Sequence, residues 1–356
     1  MSTKTSISDI LAAYGIESDV APFGNGHIND TYVVNDFVVQ RINTTVFANY
    51  KGLMNNIELV TEYLKKKIAA AGGDPERETL TVVKTKCGKP YIKTDLGVFR
   101  VYKLIKDATS YDTVTPELFY EAGKGFGRFQ TMLSDFPSEE LVETIPDFHN
   151  TRSRFEAFKA ALAADPLGRA ADVRDEIAFV LEREKDVDVV TDAIEKGILP
   201  LRVTHNDTKL NNVLIDNESG KAICVIDLDT IMPGSLLYDY GDALRFGAAT
   251  AAEDEKDLSK VGFDLERFEA FTKGFVEGIE GSCTKEETEL FPFSVKLMTL
   301  ECGIRFLTDH LLGDTYFKIA REGHNLDRAR TQFKIVSEVE RLDDQMKAIV
   351  AKVVGN

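Results

Sequence analysis

An α+β fold in two unequal parts is predicted by three observations. Short β-branched runs separated by turn residues crowd the first hundred residues. Apolar residues at helical spacing dominate most of the remaining chain. One more group of short apolar runs interrupts that helical region at 200–228. The predicted division is a small antiparallel-sheet part at 1–105 and a larger, mainly helical part at 106–356.

Ser6, Ser8 and Asp9 precede Ile10, Leu11 and Tyr14 and predict a first helix. TYVV and FVVQRI then flank Asn35-Asp36, a two-residue hairpin signal. Leu53, Ile57, Val60 and Leu64 recur at helical spacing within 50–70, and Gly72-Gly73 ends that helix. LTVVKT, KPYIKT and GVFRVYKLI, separated by CGK and DLG turns, read as a strand meander. Pro116 opens a helix running towards Met132, and helical patterns continue from 151 to 198. LRVTH, NNVLID and KAICVID are short strands with a hairpin turn at 217–220, and helices resume from Leu236 to the end. The outline is that of a two-lobed, protein-kinase-like fold, and an outline alone carries no function.

The bulk numbers narrow the classes. A chain of 356 residues is long enough for a large core and two lobes. Its charge of −16, from 43 basic and 59 acidic residues, argues against nucleic acid and against an anionic membrane as partners. Cys87, Cys224, Cys283 and Cys302 form no C-x-x-C pair, and the five histidines form no H-x-x-x-H pair. MSTKTSISDILAAYGI has no signal-peptide apolar core, and no apolar stretch approaches the ~20 residues of a membrane helix. A cytoplasmic protein with reduced thiols is expected, and no protein partner is implied.

VTHNDTKLNNVLID sets His205, Asp207, Lys209 and Asn212 between two apolar runs. His205, Asp207 and Asn212 fit H-x-D-x-x-x-x-N, a kinase loop in which the Asp accepts a substrate proton and the Asn holds a metal ion. Lys209 is placed to neutralise charge on a transferred phosphoryl group. Asp and Asn also favour turns, so this pattern by itself fits a plain turn equally well. Asp227, at the end of the strand CVI in IDLDTIMPG, supplies a second hard-oxygen ligand, and both motifs in this order weigh against the turn reading. Asp229 is a second ligand, a substrate contact or a loop-ordering carboxylate. Asp239, in LLYDYGDALRFG with Asp242, is read as bracing the catalytic loop, with a helix-start charge effect as the alternative.

VTHNDTKLNN with VIDLDTIMPGSLLYDYGD resembles the aminoglycoside phosphotransferase-type kinase family. The resemblance implies a two-lobed, protein-kinase-like enzyme that phosphorylates small-molecule hydroxyls with ATP and Mg2+. PFGNGHINDTY, FKAALAADPLGRAA, ALRFGAATAAEDEKDLSKV and ECGIRFL with GDTYF are similar to members acting on N-acetylhexosamines, and these stretches span nearly the whole chain. The reaction so implied moves the ATP γ-phosphoryl group to the anomeric hydroxyl of N-acetylglucosamine or N-acetylgalactosamine. Asp207 then becomes the base, and Asn212 and Asp227 the magnesium ligands. Gly24, Gly26 and Asn29 take the place of the phosphate loop, and Leu104 and Ile105 that of the adenine hinge. His27, Arg305, Tyr316 and Asp229 join Asp207 around the sugar.

One departure stands out. FVVQRI offers Gln40 and Arg41 where such kinases carry a nucleotide-binding lysine. Either Arg41 pairs with Glu58 and touches the phosphates, or Gln40 faces inward with Arg41 outward, and strand alternation does not choose. Arg305 also fits a charged ladder with Glu301 and Asp309, and Tyr316 fits a core position. On a straight helix the two would stand ~16 Å apart, so joint sugar contact requires a break, expected at Gly313-Asp314. The competing readings are a kinase for an amino alcohol, thiosugar or aminoglycoside, and a nucleotide-binding regulator without catalysis, which the missing lysine supports.

Overall fold

The computed structural model describes residues 6–17 and 29–355. They form two compact units. The sheet unit comprises Met1–Ser110, Asp135–Pro146 and Val213–Pro233, and the helical unit comprises Tyr111–Ser134, Asp147–Asn212 and Gly234–Asn356. The expected cut after residue 105 therefore does not coincide with the compact units. Three strands explain why: Ala108–Ser110 pairs antiparallel with Val213–Asp216, which pairs with Ala222–Val225. A strand needs a partner for its backbone hydrogen bonds, and here the partners come from a distant stretch of chain.

In the sheet unit, α1 (Ile7–Ala13) starts on a capping box in which Ser6 and Asp9 satisfy one another's backbone amides. The strands β1 (Asp30–Val34), β2 (Phe37–Ile42), β3 (Val82–Val83), β4 (Ile92–Thr94) and β5 (Gly97–Lys103) follow. Asn35 turns the β1–β2 hairpin at φ 52°, a left-handed angle that asparagine tolerates better than most side chains. β2 pairs with β5 so that Gln40 faces Arg100 across the ladder. One sheet face buries Val39, Phe99 and Val101 against Ile10, Leu11 and Tyr14 of the α1 region. Tyr14 Oη donates to Phe99 O at 2.9 Å.

The helix α2 (Tyr50–Ala70) buries Leu53, Ile57, Val60 and Leu64, as the spacing predicts, and the chain turns at Gly72 with φ 79°. Asn56 on α2 joins three chain segments of this unit. Its amide nitrogen donates to Val142 O (2.8 Å) and Ile231 O (3.0 Å), and its oxygen accepts from Val142 N (3.1 Å). A fully buried amide orders these backbones, and the bonds it makes offset the cost of its desolvation.

The helical unit holds α3 (Pro116–Met132), α4 (Thr151–Ala164), α5 (Arg174–Leu181), α6 (Val189–Glu195), α7 (Leu236–Gly247), α8 (Leu265–Ile279), α9 (Lys285–Glu289), α10 (Phe291–Leu312) and α11 (His324–Val354). Backbones of α3 and α8 meet closely through Gly123, Gly127, Gly274 and Gly278. A β-carbon on Gly274 would stand 1.9 Å from Tyr120 O. The core of α4, α5, α10 and α11 includes Phe155, Phe158, Val180, Leu300, Ile304, Leu307, Phe333 and Val336. Arg202 and Glu287 form a buried two-pronged pair at 2.6 and 2.7 Å. No helix among the described residues is long and apolar enough to cross a membrane.

Candidate active site

The H-x-D-x-x-x-x-N loop lies in the helical unit, after the strand Arg202–Thr204 and through a single turn at Leu210–Asn212. Asp239 in the first turn of α7 holds its start. Its carboxylate accepts from His205 N (2.9 Å), Asn206 N (2.7 Å) and Gln130 Nε2 (2.7 Å), and its carbonyl accepts from Thr208 Oγ1 (2.6 Å). Burial raises the carboxyl of Asp239 above the usual carboxylate range, against the pull of these donors. The reading of Asp239 as the brace of this loop holds.

Three donors aim at two oxygens, so Asp239→Asn would turn one acceptor into a donor facing N–H groups. The variant is expected to lose about 1–3 kcal/mol of stability and most of its turnover. Urea unfolding with steady-state kinetics tests this; an unchanged unfolding midpoint would show that the charge is dispensable.

Beyond the brace, the loop brings its three polar members together. Asn212 Nδ2 donates to Asp207 O (2.8 Å) and lies 3.3 Å from Asp207 Oδ2. Lys209 Nζ stands 2.7 Å from Asp207 Oδ1. Burial opposes the charge of Lys209, but Asp207 and Asp242 outweigh it and hold the ammonium above its ordinary range. Asp242 is in turn paired with Arg245 at 2.8 and 3.0 Å. Burial would raise the Asp242 carboxyl, yet Arg245, His149 and Lys209 bring it below the usual value.

On α10, Arg305 has its guanidinium over the rings of Phe148 (5.2 Å), Phe317 (5.5 Å) and Tyr316 (5.9 Å). The break expected at Gly313-Asp314 is present: both residues have positive φ, 99° and 59°, and α10 ends at Leu312. Asp309 accepts from the backbone N–H groups of Thr315, Tyr316 and Phe317 and so folds this segment back. That use of Asp309 removes it from the charged ladder that its spacing suggested, and the remaining Glu301–Arg305 contact is long, at 3.9 Å. Tyr316 is exposed rather than a core residue.

The sheet unit carries Asp227 and Asp229. Asp227 sits in the left-handed region (φ 58°, ψ 56°) at the turn after the strand Ala222–Val225. Asp229 is buried; its Oδ2 accepts from Asn29 Nδ2 at 2.7 Å, and its Oδ1 is 2.5 Å from Arg100 Nη1. That last contact is one of charge, without hydrogen-bond alignment at either atom. Burial disfavours the Arg100 cation, but Asp229, Tyr102 and Asp227 more than offset this and keep it protonated.

Several expectations change here. Arg41 does not pair with Glu58: its guanidinium pairs with Asp30 (2.5 Å) on the exposed edge, and Glu58 pairs with Lys84 (3.2 Å). Gln40 takes the inward position, accepting from Arg100 Nε (2.9 Å) and donating to Thr31 Oγ1 (3.1 Å). Asn29, expected in a phosphate loop, is bonded to Asp229 and to Asn43 N. Leu104 N is taken by Asp36 O (2.8 Å), and Ile105 is buried. Gly24, Gly26 and His27 lie outside the described residues.

Sequence reasoning missed Arg100, although an arginine inside the apolar and aromatic run VFRVY signals a buried partner. It also missed His149, which carries no motif, and read Glu301 only as a ladder partner of Arg305.

Asn212 and Asp227 offer hard oxygens of the kind magnesium takes. Among the described residues no group of three or more His, Cys, Asp or Glu could hold a metal. Each offers a single donor, of the kind that suits a cation held mainly by substrate phosphates and water.

The fold is of the protein-kinase-like class. The chain belongs to the phosphotransferase enzyme family, whose profile matches residues 19–271. Its fold is similar to that of a microcompartment-associated aminopropanol kinase, with a TM-score of 0.60 at 16% identity over 96% of this chain and 98% of the other. An aminoglycoside phosphotransferase from Alicyclobacillus acidocaldarius gives 0.58 at 12% identity over 98% of both chains. A spectinomycin phosphotransferase, solved with ADP and spectinomycin, gives 0.56 at 16% identity over 95% and 98%.

Proposed function

We propose that the protein is an ATP- and Mg2+-dependent kinase that phosphorylates the anomeric hydroxyl of N-acetylhexosamines, giving the sugar 1-phosphate. The observation that carries the kinase reading is the clustering of Asp207, Lys209 and Asn212 in one braced loop. Asp207 orients the acceptor hydroxyl and takes its proton as the oxygen attacks the γ-phosphorus, with ADP leaving. Lys209 steadies charge on the phosphoryl oxygens. Asn212 and Asp227 are the residues that would hold magnesium, which when bound neutralises phosphate charge.

Arg305 favours an uncharged acceptor. Amino-alcohol and aminoglycoside acceptors are cationic, and aromatic faces are a common seat for ammonium groups. Here the rings of Phe148, Tyr316 and Phe317 already have the Arg305 guanidinium over them. A cation would meet like charge, whereas an acetamido carbonyl or a ring hydroxyl accepts a hydrogen bond from Arg305. His27 and Asp229 remain on the sugar side of the proposal, and Gly24, Gly26, Leu104 and Ile105 on the nucleotide side.

Phosphorus NMR with ATP, Mg2+ and an acceptor panel tests the proposal. A 1-phosphate of N-acetylglucosamine or N-acetylgalactosamine is expected, with no product from choline or aminoglycosides. Turnover confined to a cationic acceptor would overturn the sugar assignment and keep the kinase. ATP binding without transfer to any acceptor would favour the regulator.

A further inference from the structure

His149 lies in the helical unit just before Asn150, the N-cap of α4, and is buried. Its Nδ1 is 2.8 Å from Glu301 Oε1, and its Nε2 is 3.1 Å from Asn206 O. A carboxylate and a backbone carbonyl only accept hydrogen bonds. A neutral imidazole has one N–H and would point a lone pair at one of these two acceptors. A doubly protonated ring satisfies both.

Moving the proton to Glu301 would also satisfy the contact, but the surrounding charges oppose it. Glu301 and Asp242 both favour a cation on the ring, and Arg305 stands 3.9 Å from Glu301 Oε1. Glu301 Oε2 is buried with no hydrogen-bond partner, so His149 supplies the hydrogen bond that this carboxylate has at its other oxygen.

The carbonyl that His149 grips belongs to the peptide leading into Asp207. The N–H of that same peptide donates to His205 Nδ1 at 3.2 Å. Asn206 itself is held at a left-handed φ of 65°. The peptide is therefore pinned at both ends, and its plane sets the direction in which the Asp207 side chain leaves the backbone.

We infer that His149, as an imidazolium paired with Glu301, is a positioning residue for the catalytic base, and that Glu301 links the loop to Arg305. The inference rests on Asp207 as base and Arg305 on the acceptor side, as proposed above. It makes the orientation of the base depend on one buried proton.

The groups facing His149 are Glu301 and Arg305 from α10, Asp242 and the Tyr238 ring from α7, and the Phe148 ring beside it in sequence. Burial opposes the ring's charge, but Glu301 and Asp242 outweigh both burial and Arg305, so its pKa lies above the ordinary histidine value. A raised folded pKa means that the contribution is complete below the unfolded value of about 6.5 and is lost as pH rises through the folded value. Turnover is thus expected to fall on the alkaline side.

The test is nitrogen NMR of the full-length protein labelled at its histidines, with His149 assigned from the resonances missing in His149→Gln. Both ring nitrogens are expected to carry protons at pH 7; a singly protonated ring overturns the inference. In kinetics, His149→Gln is expected to lose roughly 10²-fold in kcat, to keep KM for ATP, and to lose the alkaline limb. Unchanged kcat overturns the positioning role. Should that variant not fold, Glu301→Gln keeps the ring and removes its counter-charge. The ring whose resonances respond must then titrate lower and kcat must fall, and the absence of either change overturns the inference. Retained turnover in Asp207→Asn would remove the base assignment while leaving the protonation measurement standing, so the two failures are distinguishable.

Discussion

Asp207→Asn is expected to lower kcat by roughly 10²–10⁴-fold, the usual contribution of a general base, with little change in KM for ATP. The substitution is a clean one for this loop. An asparagine oxygen still accepts from Lys209 Nζ or Asn212 Nδ2, which lie 2.7 and 3.3 Å from the Asp207 carboxylate. The braces at Asp239 and His149 act on the neighbouring peptides and are untouched. What disappears is the capacity to take a proton. Steady-state kinetics with the preferred acceptor, alongside thermal unfolding, decides the matter; near-normal turnover would remove Asp207 from the role.

Asp227→Asn is expected to have the second-largest effect, and of a different kind. Asp227 occupies φ 58°, ψ 56°, a conformation that asparagine adopts readily, so the turn survives the change. Asp229, Asn29 and Arg100 keep their contacts, since Asp227 is not the carboxylate they pair with. The substitution removes the negative charge that the proposed magnesium ligand supplies, and with it part of the negative charge acting on Arg100. The Mg2+ concentration for half-maximal rate is expected to rise by roughly tenfold or more, with kcat falling by about 10²-fold. Rates measured over stepped Mg2+ at fixed ATP test this, and an unchanged Mg2+ response would exclude Asp227 as a ligand.

The two variants separate proton transfer from metal binding. The His149 and Asp239 variants act one shell further out, through the backbone of the same loop. A common pattern across Asp239→Asn and His149→Gln, with kcat reduced and nucleotide affinity kept, would mark orientation of the base as the shared cause.

Much of the local structure was legible because its causes are local. The Ser6–Asp9 capping box, the Asn35 turn, the apolar stripe of α2 and its end at Gly72 each depend on neighbours within a few residues. The H-x-D-x-x-x-x-N loop was legible for a similar reason: Asp207, Lys209 and Asn212 need only one short turn to meet. The break after α10 followed from Gly313-Asp314 and simple helix geometry.

Tertiary structure alone decided the long-range pairings. Alternation along β2 places Gln40 and Arg41 on opposite faces and leaves open which one is inside; packing of the sheet put Gln40 there and left Arg41 to Asp30. The buried cation then came from the neighbouring strand as Arg100, whose partner Asp229 reaches it only because Val213–Pro233 returns to the sheet unit. His149 and Glu301 are 152 residues apart and have no periodic or motif relation. The sequence by itself determined the two-part architecture, the main helices and strands, and the H-x-D-x-x-x-x-N loop. Only the tertiary structure decided which buried charges face one another, because desolvation forces each buried charge to find a partner without specifying from which distant segment that partner comes.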